Sequence, residues 1–344
     1  MSEQLTLFSN SELGERRLAD RVRVMPAPPS EELVQAATVL PTGIFLGTSS
    51  WSFPTWRGLV YADTYEQTTL AREGLEAYAQ HPLLRSVGID RTFYSPVPAA
   101  EFAHYARQVP AGFRFLVKAP AQCVSPWLRA DHNGRASANP HYLDPEFAAE
   151  RFVQPATEGL GYTAGPLVFQ FPPMGRVSVS QSATFAERLG DFLTRLPSGP
   201  LYAVEVRDPA LLTDEYLAAL RVGGARHCIG LHPRQPGVRE QARLVNKLAP
   251  GTLVVRWNLH ADYGYEEARE HYHPFTRLVD EDVPTRVALA RLCLETVAAG
   301  HAAFVIANNK AEGSAPLTLF KLATLIAEEV RLRHTMRGAD NWQR

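Results

Sequence analysis

Short apolar runs recur along the chain from residue 43 onward. Most of them are almost continuously apolar, which is typical of strands covered on both faces. Eight runs are predicted as strands, and they span Ile44–Thr48, Ser86–Asp90, Phe113–Lys118, Leu167–Phe171, Leu201–Val206, Cys228–Leu231, Leu253–Trp257 and Ala303–Ala307.

The stretches between these runs have helical spacing. In the last of them Leu319, Leu322 and Ile326 share one face. The predicted helices are Leu70–Gln80, Ala99–Gln108, Pro145–Gly159, Ala183–Leu196, Thr213–Val222, Glu240–Lys247, Thr285–Ala299 and Leu317–Arg333. Strand followed by helix, eight times over, predicts a parallel sheet, and eight units is the number at which such a sheet closes into a barrel.

The fold class predicted is therefore α/β, a TIM-type (β/α)8 barrel. A doubly wound open sheet is less consistent with the sequence, because no GxGxxG turn follows any strand. We assign residues 43–334 to the barrel and residues 1–42, which are polar and rich in charge and proline, to a flexible N-terminal extension. Residues 335–344 are assigned to a C-terminal tail.

Composition narrows the setting of the barrel. Of 344 residues, 45% are hydrophobic and the net charge is −1, so there is no global electrostatic attraction to nucleic acid, and a nucleic-acid partner is left undecided. No apolar run reaches the ~20 residues that cross a bilayer, and the start lacks the features of a signal peptide. We expect a cytoplasmic protein with no membrane partner. The three cysteines form no CxxC pair, which argues against a zinc knuckle.

Charged residues interrupt several apolar strands near their carboxyl ends, where barrels place their chemistry. Lys118, Glu205, Arg207 and Arg256 stand where a plain core would have aliphatic residues. Because buried, unpaired charges are costly, these groups are expected to meet one another or a ligand. Two interpretations stay open at this point: a structural layer of ion pairs, and a binding or catalytic set.

The motifs at the strand ends resemble those of the bacterial DUF72 (YecE-like) family. Residues 47–56, GTSSWSFPTW, are similar to the family's opening motif, and further blocks follow in order: Thr92–Tyr94, Phe115–Pro120, Phe169–Pro173, Val204–Arg207 and Asn308–Asn309. The resemblance implies a TIM-type barrel without a settled activity. It differs at Asp90, where the family usually has glutamate, and after Arg256, where Trp257–His260 replaces the usual motif.

The first functional hypothesis is a barrel that binds or transforms a small anionic or carbohydrate-like ligand; whether it is an enzyme is left open. Carboxylates and a lysine suit acid–base or amine chemistry, so the candidate catalytic residues are Asp90, Lys118 and Glu205. Arginine, amide and aromatic groups suit ligand binding, and the candidates are Trp51, Tyr94, Gln170, Arg207, Arg256 and Asn308. The loop Asn308–Ser314 is a candidate phosphate site through its backbone N–H groups.

No cofactor is predicted. His232, His260, His271 and His273 are scattered, no HExxH motif is present, and Tyr263–Glu267 is predicted to be a solvated lid loop. We therefore assign no metal ligand, while a divalent metal stays an alternative.

The second hypothesis rests on the start of the chain. Residues 4–8, QLTLF, resemble the peptide by which bacterial replication and repair proteins dock on the sliding clamp, with Gln4 as a polar anchor and Leu5, Leu7 and Phe8 as apolar contacts. This pattern predicts a DNA replication or repair factor, with a nuclease-like activity as one form. A third hypothesis is a non-catalytic ligand-binding barrel.

Overall fold

The computed structural model describes residues 23–128, 137–173 and 182–341. It contains a closed barrel of parallel strands, each paired with the next along the chain and the last paired with the first. This confirms the predicted TIM-type barrel. The strands are β1 (Ile44–Thr48), β2 (Leu84–Ile89), β3 (Arg114–Lys118), β4 (Ala164–Phe171), β5 (Tyr202–Val206), β6 (Arg226–Leu231), β7 (Leu253–Trp257) and β8 (Ala303–Ala307).

Helices connect the strands and cover the outside of the barrel. They are α1 (Glu31–Val39), α2 (Gln67–Ala79), α3 (Ala99–Ala106), α4 (Gln154–Leu160), α5 (Ser182–Arg195), α6 (Asp214–Val222), α7 (Val238–Val245), α8 (Tyr265–Tyr272), α9 (Val283–Ala298) and α10 (Ala315–Asn341). The helix predicted over 145–159 is continuous but contains a π-helical turn: Pro145–Ala148 is α-helical, Ala149–Val153 is π-helical, and α4 follows directly.

The inside of the barrel is filled by one compact apolar layer. Successive side chains of a strand point to opposite faces, so every second residue points inward. The inward residues of six strands form a separate buried cluster, which consists of Leu116, Val168, Ala203, Cys228, Val254 and Ile306. The residues between them point outward to the helices. The core is therefore continuous up to the level at which the strands approach their carboxyl ends.

Part of the stretch assigned to the extension packs on the barrel. Ser30 caps α1 by accepting a hydrogen bond from the backbone N–H of Leu33 at 3.3 Å, and Ala36 and Leu40 are buried. Residues 23–42 thus lie against the barrel, and α1 packs on α10. At the other end, α10 continues to residue 341 and so includes most of the predicted tail.

The expected lid loop around residue 265 is a helix instead. The Glu267 carboxylate accepts from the N–H of Gly264 at 3.2 Å and caps α8. Ala268 and Tyr272, four residues apart, pack against Leu259 and Phe275 in a small second core. None of the helices in the described ranges has the length and apolar character required to cross a membrane.

Candidate functional site

A layer of polar side chains lies directly above the apolar layer, at the carboxyl end of the barrel. Side chains point inward at every second residue of a strand. On most strands, the inward residue two positions after the apolar-layer residue is polar. Lys118 follows Leu116, and Glu205 follows Ala203. By the same period the layer contains Asp90, Lys118, Gln170, Glu205, Arg256 and Asn308. The strands thus hold these groups on a rigid frame.

Arg256 joins two carboxylates across the barrel. Its Nη2 donates to both oxygens of Asp90 at 3.0 and 2.9 Å, and its Nη1 donates to Glu205 Oε2 at 2.8 Å. Nη1 also lies 3.3 Å from Gln170 Oε1. Arg256 is only 2% exposed, so its charge has little access to solvent. Both Nη groups of Arg256 therefore donate to protein groups, and few of its N–H donors remain for a ligand.

Arg207 is the second cation beside Glu205. Its Nε lies 2.6 Å from Glu205 Oε1, although the N–H is not aligned for a hydrogen bond. No residue of the described ranges accepts a hydrogen bond from its two Nη groups. Glycine at position 230 leaves room for this arrangement, because a Cβ there would lie 2.9 Å from Glu205 Oε1. The Gln241 side chain holds Gly230 through its backbone N–H and carbonyl, both at 3.1 Å.

Glu205 is completely buried and yet ionised. Burial alone would raise its pKa, but the charges of Arg207 and Arg256 outweigh burial and lower the pKa of Glu205 to about 2. The two carboxylates likewise raise the pKa of Arg256 despite its burial. A carboxylate with so low a pKa does not exchange protons near neutral pH. These contacts favour a role for Glu205 in holding Arg207 and Arg256, and its assignment as an acid or base stays a prediction.

Lys118 has a different environment. Its Nζ lies 3.7 Å from the centre of the Phe93 ring, and no described residue forms a hydrogen bond or ion pair with it. Thr92 fixes the ring's position, because its hydroxyl donates to the carbonyls of Ile89 and Lys118. Burial lowers the pKa of Lys118 to about 8, and the charge of Arg256 adds to this effect. Lys118 is therefore a partly buried cation without a bonded counter-charge in the described chain.

A second lysine approaches the same mouth from the loop after β8. Lys310 is 7% exposed, and its Nζ lies 4.3 Å from the centre of the Tyr265 ring on α8. Burial lowers the pKa of Lys310 to about 8, and the charge of Asp90 acts against this decrease. The backbone N–H of His260 donates to the Lys310 carbonyl at 2.8 Å, which fixes the loop. The charge of Asp90 thus acts on two partly desolvated lysines.

Comparison with known proteins places this barrel in a family. Residues 45–340 match the family model described as "Protein of unknown function DUF72". The chain belongs to the DUF72 family. Its fold is similar to a DUF72 protein of Enterococcus faecalis, with 17% identity, a TM-score of 0.56, and 82% of this chain and 95% of that one covered. A DUF72 protein of Thermotoga maritima has 21% identity, a TM-score of 0.54, and coverages of 82% and 98%. No curated protein matches the sequence.

The structure of this DUF72 barrel brings most of the predicted site residues together. The group with direct contacts or electrostatic coupling consists of Asp90, Lys118, Gln170, Glu205, Arg207 and Arg256. Asn308 is at the same level, but its amide is engaged: Nδ2 donates to Ser49 Oγ at 2.8 Å, and Oδ1 accepts from the N–H of Lys310 at 3.1 Å.

The two predicted aromatic ligand contacts have different outcomes. Trp51 is buried, its indole N–H donates to the Leu70 carbonyl at 3.0 Å, and its ring packs edge-on against Tyr105. Trp51 therefore belongs to the packing between barrel and helices, which does not favour the predicted ligand contact. Tyr94 is 78% exposed beside Phe93, with an open ring face.

Several backbone N–H groups of the loop Asn308–Ser314 are engaged within the protein. Lys310 donates to Asn308 Oδ1 at 3.1 Å, and Gly313 donates to the Asn309 carbonyl at 2.9 Å. The backbone around Arg277 packs against Gly313 so closely that a Cβ would lie 2.6 Å from the Arg277 carbonyl. These contacts do not favour a phosphate site in this loop, which stays a prediction.

Three residues near the charged cluster were not among the predicted site residues. His232 follows β6, and burial lowers its pKa, with Arg207 and Glu205 among the charges that act on it. Asn258 Nδ2 lies 3.4 Å from Glu205 Oε1, and Lys310 lies beside Tyr265. His232 and Asn258 stand one residue beyond β6 and β7 and continue the inward alternation of those strands, whereas Lys310 lies in the loop three residues after β8.

The histidines considered as metal ligands do not converge. His271 Nε2 lies 3.0 Å from Asp280 and 3.4 Å from the hydroxyl of Tyr263. Within residues 23–128, 137–173 and 182–341, no three side chains of His, Cys, Asp or Glu form a group that could hold a metal ion. The predicted clamp-docking residues Gln4, Leu5, Leu7 and Phe8 lie outside the described residues.

A cavity of about 900 Å³ opens at the opposite, N-terminal end of the barrel. Phe45 and Phe304 stack in its wall with ring centres 4.6 Å apart. Arg114 lines it too, but its Nη1 donates to the carbonyls of Ala111 and Phe113 at 2.8 Å. Charge without a partner is found at the carboxyl end instead, and we place the candidate site there.

Proposed function

We propose that this protein binds a small anionic molecule at the carboxyl end of its barrel, with a carboxylate or phosphate group held by Arg207 and Lys118. The observation that carries the proposal is the pair of cations without acceptors. Lys118 Nζ has no hydrogen-bond partner in the described chain, and the Nη groups of Arg207 have none. Positively charged donors that are shielded from solvent and lack an acceptor raise the free energy of the folded state. A bound anion would accept their hydrogen bonds.

The balance of charge supports an anion over a neutral sugar. Three cations, Lys118, Arg207 and Arg256, surround only two carboxylates, Asp90 and Glu205. A carbohydrate-like ligand would draw on aromatic surfaces, but Trp51 is committed to packing. An exposed Tyr94 remains for the rest of an anionic ligand.

The test is a set of binding measurements by calorimetry and thermal shift with phosphate, pyruvate and glucose at low ionic strength. We expect saturable binding of phosphate or pyruvate and none of glucose. Arg207→Gln should weaken the binding at least tenfold, because a charge-assisted hydrogen bond is worth about 1.5–3 kcal/mol. Arg221→Gln on the outer helix α6 removes the same charge away from the site and is expected to leave affinity unchanged. Binding of glucose alone, or no difference between the two variants, would refute the proposal.

The sequence supplies one specific observation for a second candidate function. Residues 4–8, QLTLF, suit docking on a sliding clamp, and a clamp-recruited factor for DNA replication or repair is proposed on that basis. The two functions are compatible, because the peptide and the barrel are separate parts of the chain.

A further inference from the structure

We propose that Lys118 is a nucleophilic amine that forms a Schiff base with the carbonyl group of a small anionic aldehyde or ketone. This inference rests on the proposed function, since the same site would hold the anionic end of the molecule. It adds the chemical class of the ligand, a carbonyl compound, and a covalent step.

The distribution of lysine in the chain is the first argument. Only four of the 35 basic residues are lysine, at positions 118, 247, 310 and 321, and the rest are arginine. Two of these four, Lys118 and Lys310, lie at the mouth of the barrel. Lysine differs from arginine chemically in that it can lose its proton and act as a nucleophile. Two lysines, the basic residues that can lose their proton, thus lie at the carboxyl end of the barrel.

The second argument is the environment of Lys118 Nζ. An ammonium ion that is to remain charged is normally bonded to a carboxylate, and two carboxylates lie near this one. The oxygens of Asp90 are bonded to Arg256, however, and those of Glu205 face Arg256 and Arg207. Lys118 meets only the face of Phe93. The arginines thus take up the carboxylates with which Lys118 would otherwise pair.

The population of neutral amine follows from this environment. With a pKa of about 8, Lys118 is neutral in about one molecule in ten at pH 7, roughly 300-fold more than for a free lysine. The Phe93 ring favours the ammonium form, but burial has the larger effect, because the pKa of Lys118 lies below that of a free lysine.

Lys118 is a better candidate than Lys310. It is the last residue of β3 and part of the rigid inward layer, whereas Lys310 follows β8 in a loop. Arg256 and Arg207 both act on Lys118, and Arg207 has Nη groups free to hold the anionic end of a ligand. Lys310 lies nearer Glu266 of α8, whose charge favours its protonated form.

The covalent step balances as follows. The lone pair of neutral Nζ adds to the carbonyl carbon, and the carbonyl oxygen takes a proton to give a carbinolamine. That oxygen takes up a second proton, from solvent, and leaves as water, so that a protonated C=N bond remains between Nζ and the former carbonyl carbon.

The experiment is reductive trapping of the full-length protein. The chain is incubated with pyruvate or dihydroxyacetone phosphate and sodium borohydride, and the adduct is assigned by mass spectrometry to one of the four lysines. We expect one adduct, at Lys118, with a rate that rises with pH and levels off above about 8. Lys118→Arg should lose the adduct, because arginine keeps the positive charge but cannot form the Schiff base. Lys118→Met, which removes a buried charge, is a second variant whose folding is less at risk.

Lys247 and Lys321 lie outside the site and serve as internal controls for non-specific reaction. An adduct at Lys310, or equal labelling of all lysines, would overturn the assignment of Lys118. Binding of either compound without a trapped adduct would overturn the Schiff base and leave the proposed anion site intact. Failure to bind phosphate, pyruvate and dihydroxyacetone phosphate alike would remove the proposed function as well.

Discussion

Substitution of Glu205 by glutamine removes one negative charge from the centre of the polar layer with little change of shape. In the wild type, Glu205 Oε2 accepts from Arg256 at 2.8 Å, and Oε1 lies 2.6 Å from Arg207 Nε. The neutral amide of the variant would leave both guanidinium charges with only Asp90 as a counter-charge. Removal of one partner from a buried pair typically costs about 3–5 kcal/mol of folding free energy.

The pKa of Glu205 gives a second estimate of how much its ionised carboxylate contributes to the free energy of unfolding. Its decrease from 4.5 to about 2 on folding corresponds to about 3 kcal/mol. Because the folded-state pKa is the lower one, this contribution is complete well above pH 4.5 and is lost as the pH falls towards 2. At pH 3 about 2 kcal/mol of it has been lost. The two approaches agree, and we expect Glu205→Gln to lose about 3 kcal/mol at pH 6.

The assay is urea denaturation followed by tryptophan fluorescence between pH 6 and pH 3. The difference in unfolding free energy between wild type and Glu205→Gln should narrow by about 2 kcal/mol over this range, since only the wild type takes up the proton. Asp214→Asn removes an exposed partner of Lys247 and serves as the control, with little effect expected. A difference that stays constant with pH, or that is absent at pH 6, would refute the stabilising role of ionised Glu205.

Two further predictions concern Lys118 and the N-terminal peptide. Lys118→Met should raise the unfolding free energy at pH 7 by about 1–2 kcal/mol, since the wild type buries a charge that the Phe93 ring only partly compensates. Because the pKa of Lys118 is lowered in the folded state, the gain in stability of the variant should be largest below pH 8 and disappear towards pH 10.5. Urea titrations of both proteins at pH 7 and pH 10 measure this gain. A loss of stability at pH 7 would contradict the prediction. If the peptide docks on a sliding clamp, the full chain should bind purified bacterial clamp in a pull-down, and alanine at Leu7 and Phe8 should abolish binding; failure of the intact chain to bind would exclude that partner.

The barrel and the centre of the site could be predicted for the same physical reason. Within a strand the backbone imposes an alternation of two, so a charged residue two positions after an inward apolar one must also point inward. Lys118, Glu205 and Arg256 all lie inside strands. Their convergence followed from closure of the barrel, which the repeated strand and helix pattern indicates.

Residues beyond the strands were less predictable because turns set their directions. Trp51 lies three residues after β1, and its side chain turns outward to the Leu70 carbonyl. Lys310 lies three residues after β8, and its side chain turns towards the mouth. Sequence spacing alone does not distinguish these two outcomes, since each depends on hydrogen bonds made by its own turn.

Helix α8 was missed because its buried surface is small. Its sequence, YEEAREHY, is polar, and only Ala268 and Tyr272 are buried. Two apolar positions are too few to produce a helical pattern by themselves. The cap from Glu267 to Gly264 and the contacts with Leu259 and Phe275 supply what the pattern lacks.

The two interpretations of the strand charges turn out to describe different members of one layer. Asp90, Arg256, Glu205 and Arg207 form a linked set of ion pairs, and the low pKa of Glu205 marks it as structural. Lys118 lies beside this set without joining it, and burial of its charge lowers stability. A group that costs stability while its neighbours are fully paired is expected where function requires it. The ion pairs therefore have a consequence beyond stability: because they occupy both carboxylates, Lys118 has no carboxylate partner, which is the condition that the proposed Schiff base requires.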